Sequence, residues 1–439
     1  MFAKYGKLFF AYFRKNFYSF CWLYNYFKVM RKYYTHIVLI CLGLVLYFMA
    51  NFQRVAVPGA VFDILKTNLG FSASAITALG SAFMYSYAIS LLFCGILIDR
   101  YGAVKVILCG SLLFSLGTLL FPNTTDINVM YLSRIFMGAG SATFYLSLIQ
   151  EAKKCFPDKF FGISVSLMLL TGYLGGVFAN APYIYLTRFF DWNLILNFMG
   201  IVTIIITLLF CFERGFLHHI PVNNNVKFSL EPFKEVLSKS SNRTLFAFAA
   251  LNYGLYYVIQ TVLGTKFLKD FVNLSDTQAS FALSMMIVVA GLSGFILASL
   301  STIFNNKRVI FMKIICIFSC CVFITILSCL VMNYKTPFIA ILLTSLAIGG
   351  GISSLLVPII HATNIYEVRS TAMSVMNSCF FVTVGIFSSL VGILLDLFTP
   401  VVNSYGNYIY SQQSYILVFS IFLFFAFIEM FFVFRLKDN

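Results

Sequence analysis

The sequence predicts an all-α membrane protein with twelve transmembrane helices. Of its 439 residues, 60% are hydrophobic and only 10% are charged, whereas a soluble domain carries about 25% charged residues. Twelve apolar stretches are each long enough to cross a bilayer as a helix, which takes about 20 residues. None of them alternates apolar and polar residues as the strands of a membrane barrel do. The predicted spans are residues 35–56, 77–97, 103–122, 128–149, 161–186, 192–212, 244–265, 277–303, 309–332, 336–360, 371–395 and 413–434.

The distribution of positive charge predicts the orientation of the spans. If the amino terminus lies in the cytoplasm, most of the 30 Lys and Arg residues fall in cytoplasmic segments, as the positive-inside rule requires. Both termini are then cytoplasmic. These segments also account for the net charge of +15, so we expect no nucleic-acid partner. The opposite side carries Arg54, Lys66, Arg188, Lys266, Lys269 and Lys335.

Polar segments divide the chain into two bundles of six spans. The first 33 residues are basic and aromatic and contain no acid. They fit either a helix lying on the inner leaflet or a disordered cytoplasmic tail. A secretory signal is excluded because bases interrupt its apolar core. The predicted organisation is a basic segment at 1–33, bundles at 34–212 and 244–434, a cytoplasmic linker at 213–243 and a tail at 435–439.

The two bundles show weak internal similarity. Gly138–Gly140 in span 4 recurs as Gly349–Gly351 in span 10, 211 residues later, and Gly162–Val165 recurs as Ala372–Val375 after 210 residues. A spacing that persists across two pairs of spans indicates duplication. We therefore expect two six-helix pseudo-repeats that face each other across a cavity near the bilayer midplane.

The turn between spans 2 and 3 is short and charged. From Gly95 to Lys105 it resembles the loop G-x-L-x-D-R-x-G-x-x-K between helices 2 and 3 of the major facilitator superfamily. The corresponding turn between spans 8 and 9 has bases but no acid. The resemblance implies a cytoplasmic gate; the alternative is a charged turn that only separates two spans. The gate residues are Gly95, Asp99, Arg100, Gly102 and Lys105.

Polar residues recur at helical spacing on spans 1, 4, 5 and 7. Polar side chains within a membrane usually face protein or a water-filled cavity, and spans 1, 4 and 7 line the cavity in the fold that the chain resembles. Tyrosines near span ends can instead be interfacial anchors, and amides can simply join neighbouring helices. The predicted substrate-binding residues are Asn51, Arg54, Arg134, Tyr145, Asn180, Asn252, Tyr256, Tyr257 and Gln260.

Arg134 is the most unusual of these residues. With Gly138 and Gly140 it resembles the span-four motif R-x-x-x-G-x-G of the same superfamily. A guanidinium near hydrocarbon needs an anion or a carbonyl partner. Arg134 is therefore predicted to bind a substrate carboxylate or to take part in coupling, with a structural bridge as the alternative.

The driving ion is the weakest part of the sequence interpretation. No carboxylate stands out as a buried proton site. Glu429 lies in span 12, which usually faces lipid, toward the cytoplasmic end. Proton symport and facilitated diffusion both stay open.

Short stretches point to one branch of the superfamily. Asn51–Pro58, Tyr131–Gly140 and Asn252–Tyr257 are similar to the phagosomal transporter (Pht) family of intracellular bacteria. That resemblance implies uptake of amino acids or nucleosides across a bacterial cytoplasmic membrane by alternating access. We expect a secondary active transporter, acting as a monomer, for a small polar solute, with a neutral amino acid favoured because the predicted cavity offers no carboxylate.

Several alternatives remain at this stage. A nucleoside carrier, an organic-anion or sugar-phosphate carrier and a transport-dead sensor are all compatible with the same fold. An enzyme is not expected, because the four His residues accompany no nucleophile–base or metal-binding pattern. The sequence predicts no cofactor and no metal; the expected partners are the solute, the bilayer and, in the symport reading, a proton.

Overall fold

The protein is described from a computed structural model, which covers residues 34–215, 229–304, 307–402 and 408–437. The basic segment at 1–33 and the middle of the linker lie outside the described residues. Twelve helices are long and apolar enough to cross a membrane, as the hydropathy pattern predicts. Numbered spans 1 to 12, they are Tyr34–Ala60, Ala73–Tyr101, Ala103–Asn123, Ile127–Cys155, Ile163–Leu186, Trp192–Arg214, Ser240–Asp270, Asp276–Ile303, Arg308–Val331, Phe338–Thr363, Arg369–Asp396 and Gln412–Arg435.

Side-chain caps fix where several spans begin. The hydroxyl of Ser72 accepts from the backbone N–H of the third residue of span 2, and Asp126 caps span 4 in a similar way. Ser275 forms a reciprocal capping box with Gln278 at the start of span 8, and Ser411 caps span 12. Such caps satisfy backbone donors that have no partner within the helix. All four lie on the side that the charge distribution predicts to be outer, and we keep the names inner and outer for the two sides.

Several spans are not continuous α-helices. Span 1 ends in the π-type turn Ala56–Ala60, and span 7 passes through the π-type turn Ile259–Leu263 before the helix Gly264–Asp270. These irregular turns make spans 1 and 7 longer than the hydropathy pattern predicts. The other interrupted spans consist of Ile127–Ser141 and Phe144–Cys155 (span 4), Asp158–Phe178 and Ala181–Leu186 (span 5), and Phe338–Leu346, Ala347–Ile352 and Ser353–Thr363 (span 10).

Short elements connect the spans. The helix Phe62–Leu69 follows span 1, and Glu231–Ser238 lies in the predicted linker directly before span 7. On the outer side, Val401–Val402 pairs antiparallel with Tyr408–Ile409. The linker is therefore partly helical, and the second bundle begins earlier than its hydropathy indicates.

Glycine contacts within the two bundles correspond to each other. A Cβ on Gly138 of span 4 would lie 2.4 Å from the carbonyl oxygen of Phe83 in span 2, and one on Gly351 of span 10 would lie 2.6 Å from the backbone nitrogen of Gly294 in span 8. Spans 4 and 10 thus approach spans 2 and 8 at backbone distance, which small residues permit. The matched contacts are consistent with the predicted pseudo-repeat.

Spans 2 and 11 form the main contact between the halves. Hydroxyl groups of span 11 donate to carbonyl oxygens of span 2: Ser388 Oγ to Thr77 O at 2.9 Å and Ser378 Oγ to Ala88 O at 2.9 Å. Ser81 of span 2 donates in return to Gly385 O at 2.8 Å. Small polar residues therefore hold the two halves together on one side of a central space.

Candidate functional site

A cavity of about 240 Å³ lies between the two halves. Spans 1, 2, 4, 5, 7, 8, 10 and 11 all contribute to its wall. This volume is slightly below the 300–1,000 Å³ of typical ligand pockets, so the cavity suits a small solute. Six of the predicted binding residues line it: Asn51, Arg54, Tyr145, Tyr256, Tyr257 and Gln260.

Arg54 supplies the positive charge of the cavity. Its guanidinium donates to the side-chain oxygen of Asn51 and lies 5.7 Å from the ring centroids of Tyr87 and Tyr257 and 5.5 Å from that of Phe381. Its Nε is buried and has no hydrogen-bond partner. The described residues that line the cavity include no Asp or Glu, so Arg54 is a cation held by aromatic faces with donors left over.

Span 7 forms a polar and aromatic wall opposite span 1. Tyr253 stacks on Tyr257 with ring centroids 5.0 Å apart and on Phe380 at 4.9 Å. The hydroxyl of Tyr257 and both amide atoms of Gln260 are buried without a hydrogen-bond partner. Buried polar atoms in proteins are normally paired, so these groups are available to a solute in the cavity.

A second aromatic pair closes the cavity on the side of span 5. Tyr47 and Tyr145 are stacked with centroids 5.6 Å apart. The Tyr47 ring packs on Gly172, where a Cβ would lie 2.7 Å from the ring. Gly172 is thus needed for the ring position, which agrees with the prediction that the span-five glycines serve close packing.

Arg134 does not lie in the cavity. Its side chain is fully buried and donates to three backbone carbonyl oxygens: Gln53 at 3.0 Å, Val57 at 3.0 Å and Leu79 at 3.2 Å. The guanidinium also lies 4.6 Å from the ring centroid of Phe83. This arrangement differs from the expected substrate contact and matches the structural bridge, because the carbonyls of spans 1 and 2 already occupy the donors.

Two further predicted residues lie elsewhere. Asn180 is buried at the break in span 5, where its amide donates to the Gly176 carbonyl at 3.1 Å. Asn252 donates to the Glu429 carboxyl at 2.9 Å. Each amide is occupied by a protein partner, so neither residue belongs to the cavity wall as predicted.

Several cavity residues were not predicted as binding residues. Tyr87 of span 2, Ser353 of span 10 and Asn377 of span 11 line the wall, together with Phe381. The spacing of Asn377 and Phe381 by four residues is a helical stripe that could have marked span 11. A single polar residue in an apolar span gives a weaker signal than the stripes of spans 1 and 7.

A family model decides the identity of the fold. The model described as Major Facilitator Superfamily matches residues 41–262. The chain belongs to the major facilitator superfamily. It is accordingly a multi-pass membrane transporter, and the match covers the gate loop, all of the first half and span 7 as far as Gln260.

Individual relatives of this transporter match over shorter stretches. It is 25% identical over 159 residues to the uncharacterized transporter YybO of Bacillus subtilis, covering 36% of each chain. It is 30% identical over 131 residues to the probable anion transporter 3, chloroplastic, of Arabidopsis thaliana, covering 29% of this chain and 25% of that one. The matches thus span about a third or less of those relatives' length.

A solved structure matches over most of the chain. A bacterial homolog of the human lysosomal transporter Spinster, in an inward-facing and occupied conformation, superposes with a TM-score of 0.70 at 14% identity. The match covers 91% of this chain and 96% of that one. At this identity the likeness shows the twelve-helix fold.

On the outer side, ion pairs tie the two halves of the transporter together. Asp63, in the short helix after span 1, lies 2.8 Å from Lys266 Nζ and contacts Lys269 Nζ, both near the end of span 7. Lys266 also pairs with Asp270 at 2.9 Å and Lys269 with Asp276 at 2.6 Å. We call these five residues the outer ion cluster. Because Asp63 comes from the first half, the cluster joins the halves outside the cavity.

The outer ion cluster holds its aspartate ionised. Burial alone would raise the pKa of Asp63, but the ammonium groups of Lys266 and Lys269 outweigh it and hold that pKa below its ordinary value. A further contact between the halves lies nearby. The Asp396 carboxylate accepts from the backbone N–H groups of Ala73 at 2.9 Å and Ser74 at 2.7 Å, where the positive end of the span 2 dipole favours an anion.

On the inner side, the gate motif is open to its surroundings. Asp99 and Arg100 are both exposed, and a Cβ on Gly95 would meet no atom within 4 Å. Within the part of the chain that the structure describes, no ion pair joins Asp99 to the second half. Gly102 ends span 2 with φ of 83°, a left-handed conformation that glycine adopts without strain. The turn therefore has the expected glycine, while the lock is not engaged in this conformation.

Glu429 differs from the expectation that it faces lipid. The residue is 1% exposed, and one carboxyl oxygen accepts from Asn252 Nδ2 of span 7 and from Cys316 Sγ of span 9, both at 2.9 Å. Burial follows because span 12 packs against spans 7 and 9. A buried carboxyl group therefore does exist in the second half, one turn from the cavity residues Tyr253 and Tyr256 on span 7.

Proposed function

We propose that this transporter carries a small organic solute with a single anionic group and that Arg54 binds this group. The observation that carries the proposal is the Arg54 guanidinium, with a buried and unpartnered Nε, in a cavity whose described wall has no carboxylate. A guanidinium binds carboxylates with strong charge-assisted hydrogen bonds. Asn51 orients the guanidinium from the adjacent turn of span 1.

A monovalent organic anion, such as a carboxylate or a sulfonate, fits this wall best. Its charge is balanced by Arg54, while its remaining surface contacts Tyr47, Tyr145 and the span 7 tyrosines. The similarity to a probable anion transporter supports this class. The organic-anion reading, an alternative at the sequence level, is thereby favoured over the amino-acid reading.

A neutral amino acid is the second candidate. Its α-carboxylate would bind Arg54, and its ammonium group would need acceptors on the opposite wall. Gln260 Oε1 and Tyr257 Oη are buried and unpartnered, and tyrosine faces attract cations. These acceptors support the amino-acid expectation without the carboxylate that a cationic side chain would demand.

We place transport in an alternating-access cycle. The outer ion cluster and the Asp396 contact close the outer side, whereas the gate residues Asp99 and Arg100 are disengaged on the inner side. This combination supports a conformation that is closed outward. In the opposite conformation the outer pairs would separate and the inner gate motif would meet the second half. A bacterial cytoplasmic membrane is the proposed location.

Glu429 is the proposed proton site for coupling. An ionised carboxylate in apolar surroundings without a cation is costly, and the groups that interact with it are Asn252 and the thiols of Cys316 and Cys320. Asn252 lies on span 7 next to the cavity wall, so a change of its hydrogen bond with Glu429 would move the helix that contacts the solute. This arrangement supports symport over facilitated diffusion.

Counterflow in proteoliposomes tests the substrate class. Vesicles loaded with one unlabelled solute are diluted into its labelled form, with separate arms for small carboxylates, sulfonates, the twenty amino acids and nucleosides. We expect counterflow with monovalent carboxylates or sulfonates. Counterflow with neutral amino acids only would support the second candidate, and counterflow with nucleosides only would refute a role for Arg54 in binding an anion.

Matched variants test the role of Arg54. Arg54→Lys keeps the charge but loses the fork geometry, so the solute KM should rise about tenfold or more. Arg214→Lys, outside the cavity at the inner end of span 6, is the control and should leave KM unchanged. An unchanged KM in well-folded Arg54→Lys and Arg54→Ala proteins would contradict the proposal.

A further inference from the structure

A second cavity, of about 420 Å³, lies on the inner side of the second half. It is enclosed by the starts of spans 7 and 9 and the ends of spans 10 and 12. Three of its residues are bases and four carry hydroxyl groups, and the described residues that line it include no Asp or Glu. We name it the inner basic cavity; its polar side chains are Ser240, Ser241, Thr244, Arg308, Thr363, Arg435 and Lys437.

We propose that the inner basic cavity binds the phosphate group of an anionic phospholipid. Arg308, Arg435 and Lys437 supply positive charge from three separate chain segments, and the hydroxyls of Ser240, Ser241 and Thr244 add donors beside them. Phosphate oxygens accept such charge-assisted hydrogen bonds strongly. Without an anion, these bases would face each other in a concave space with no acid in its wall to balance them.

The helix geometry adds to this charge. Spans 7 and 9 both begin at the cavity, and their preceding residues, Lys239 and Lys307, provide no side-chain cap. The positive ends of two helix dipoles therefore face the same space as the three bases. Their effect reinforces the cationic side chains and does not define the site alone.

Apolar surface next to the cavity favours a lipid as the source of the phosphate. Ile310, Phe431 and Phe434, close to the bases on spans 9 and 12, are 44%, 52% and 54% exposed. The Arg435 guanidinium lies 4.0 Å from the Phe431 ring centroid, so charge and apolar surface are continuous. Basic pockets between helices on the inner side bind anionic headgroups in this way, while acyl chains lie along the neighbouring helices.

The experiment uses the full-length protein in detergent and native mass spectrometry. Dioleoylphosphatidylglycerol is titrated in one arm and dioleoylphosphatidylcholine in another, and inorganic phosphate and glycerol 3-phosphate serve as acyl-free probes. The test variant is Arg308→Gln/Arg435→Gln/Lys437→Gln. The control variant, Lys153→Gln/Arg214→Gln/Lys234→Gln, removes the same charge from inner-side positions outside the cavity.

We expect phosphatidylglycerol to bind in preference to phosphatidylcholine. Each base near an anionic surface contributes roughly fivefold to affinity, so the triple test variant should bind about a hundredfold more weakly, and the control should bind as the wild type does. Lys437→Gln alone, at an exposed position that should not affect folding, should weaken binding about fivefold.

The other outcomes decide between sources or overturn the proposal. Equal competition by glycerol 3-phosphate and by the lipid would support the anion site and assign it to a soluble phosphate. Equal binding of phosphatidylcholine, or unchanged phosphatidylglycerol binding in the test variants, would overturn it. The result does not depend on the transported solute, so it can fail or succeed separately from the proposed function.

Discussion

Replacing Arg134 should lower the stability of the transporter without changing how it binds its solute. Arg134→Met keeps an unbranched side chain of similar length but removes the donors to the Gln53, Val57 and Leu79 carbonyls. Hydrogen bonds average about 0.6 kcal/mol between membrane helices and about 1.5 kcal/mol or more when one partner is charged. Three such bonds give an expected loss of between about 2 and about 5 kcal/mol.

Thermal unfolding in detergent measures this loss. A thiol-reactive dye reports unfolding because buried cysteines such as Cys94 and Cys155 become accessible. The melting temperature of Arg134→Met should fall by several degrees, Arg134→Lys should lie between the two, and the KM of the folded fraction should stay within about threefold of wild type. A wild-type melting temperature together with a strongly raised KM would refute the structural bridge and restore Arg134 as a substrate residue.

Four further predictions concern the gates, the packing and the coupling. Asp99→Asn should slow turnover more than it changes solute affinity, measured by counterflow; a changed affinity at normal turnover would show that the loop has another function. Asp63→Asn should increase labelling of cavity cysteines from outside, and because the pKa of Asp63 lies below its ordinary value, the wild-type closure should be constant above about pH 4 and weaken only as pH falls through that lowered value. Gly140→Ala places a Cβ 2.3 Å from a span 3 carbonyl and should sharply reduce the yield of folded protein, whereas the exposed Gly70→Asn should not. Glu429→Gln should retain counterflow and lose accumulation driven by a pH gradient; unaltered accumulation would exclude it as the proton site.

The sequence could predict the spans because the bilayer imposes one length and one composition on each of them. It could also predict part of the cavity. Asn51 and Arg54, three residues apart, and Tyr256 and Gln260, four apart, lie on single helix faces, and the structure brings both faces to the same space. Here a local periodicity was enough, since spans 1 and 7 each present a complete polar stripe.

Arg134 and Glu429 show why the rest could not be predicted. Val57 has the non-helical backbone angles φ −119° and ψ 123°, so its carbonyl is turned away from the helix and accepts from Arg134. No hydropathy pattern reveals that irregular turn. Glu429 is buried by spans 7 and 9, which are distant in sequence, and its helix alone looks like a lipid-facing one. In both cases the partner, and not the residue itself, decides the role.

The contacts that close the outer side are of a kind that can be exchanged. Spans 2 and 11 meet through serine hydroxyls on carbonyl oxygens, at 2.8 to 2.9 Å, and each such bond contributes about 0.6 kcal/mol within a membrane. The donors bond to backbone atoms that repeat along the helix, so a small rotation can offer them new acceptors. A few such bonds, with the partly exposed pairs of Asp63, set a barrier of a size that a bound solute can overcome through its differential affinity for the two conformations. The closed outer side and the disengaged Asp99 therefore belong to one mechanism, in which polar contacts are lost at one end as others form at the other.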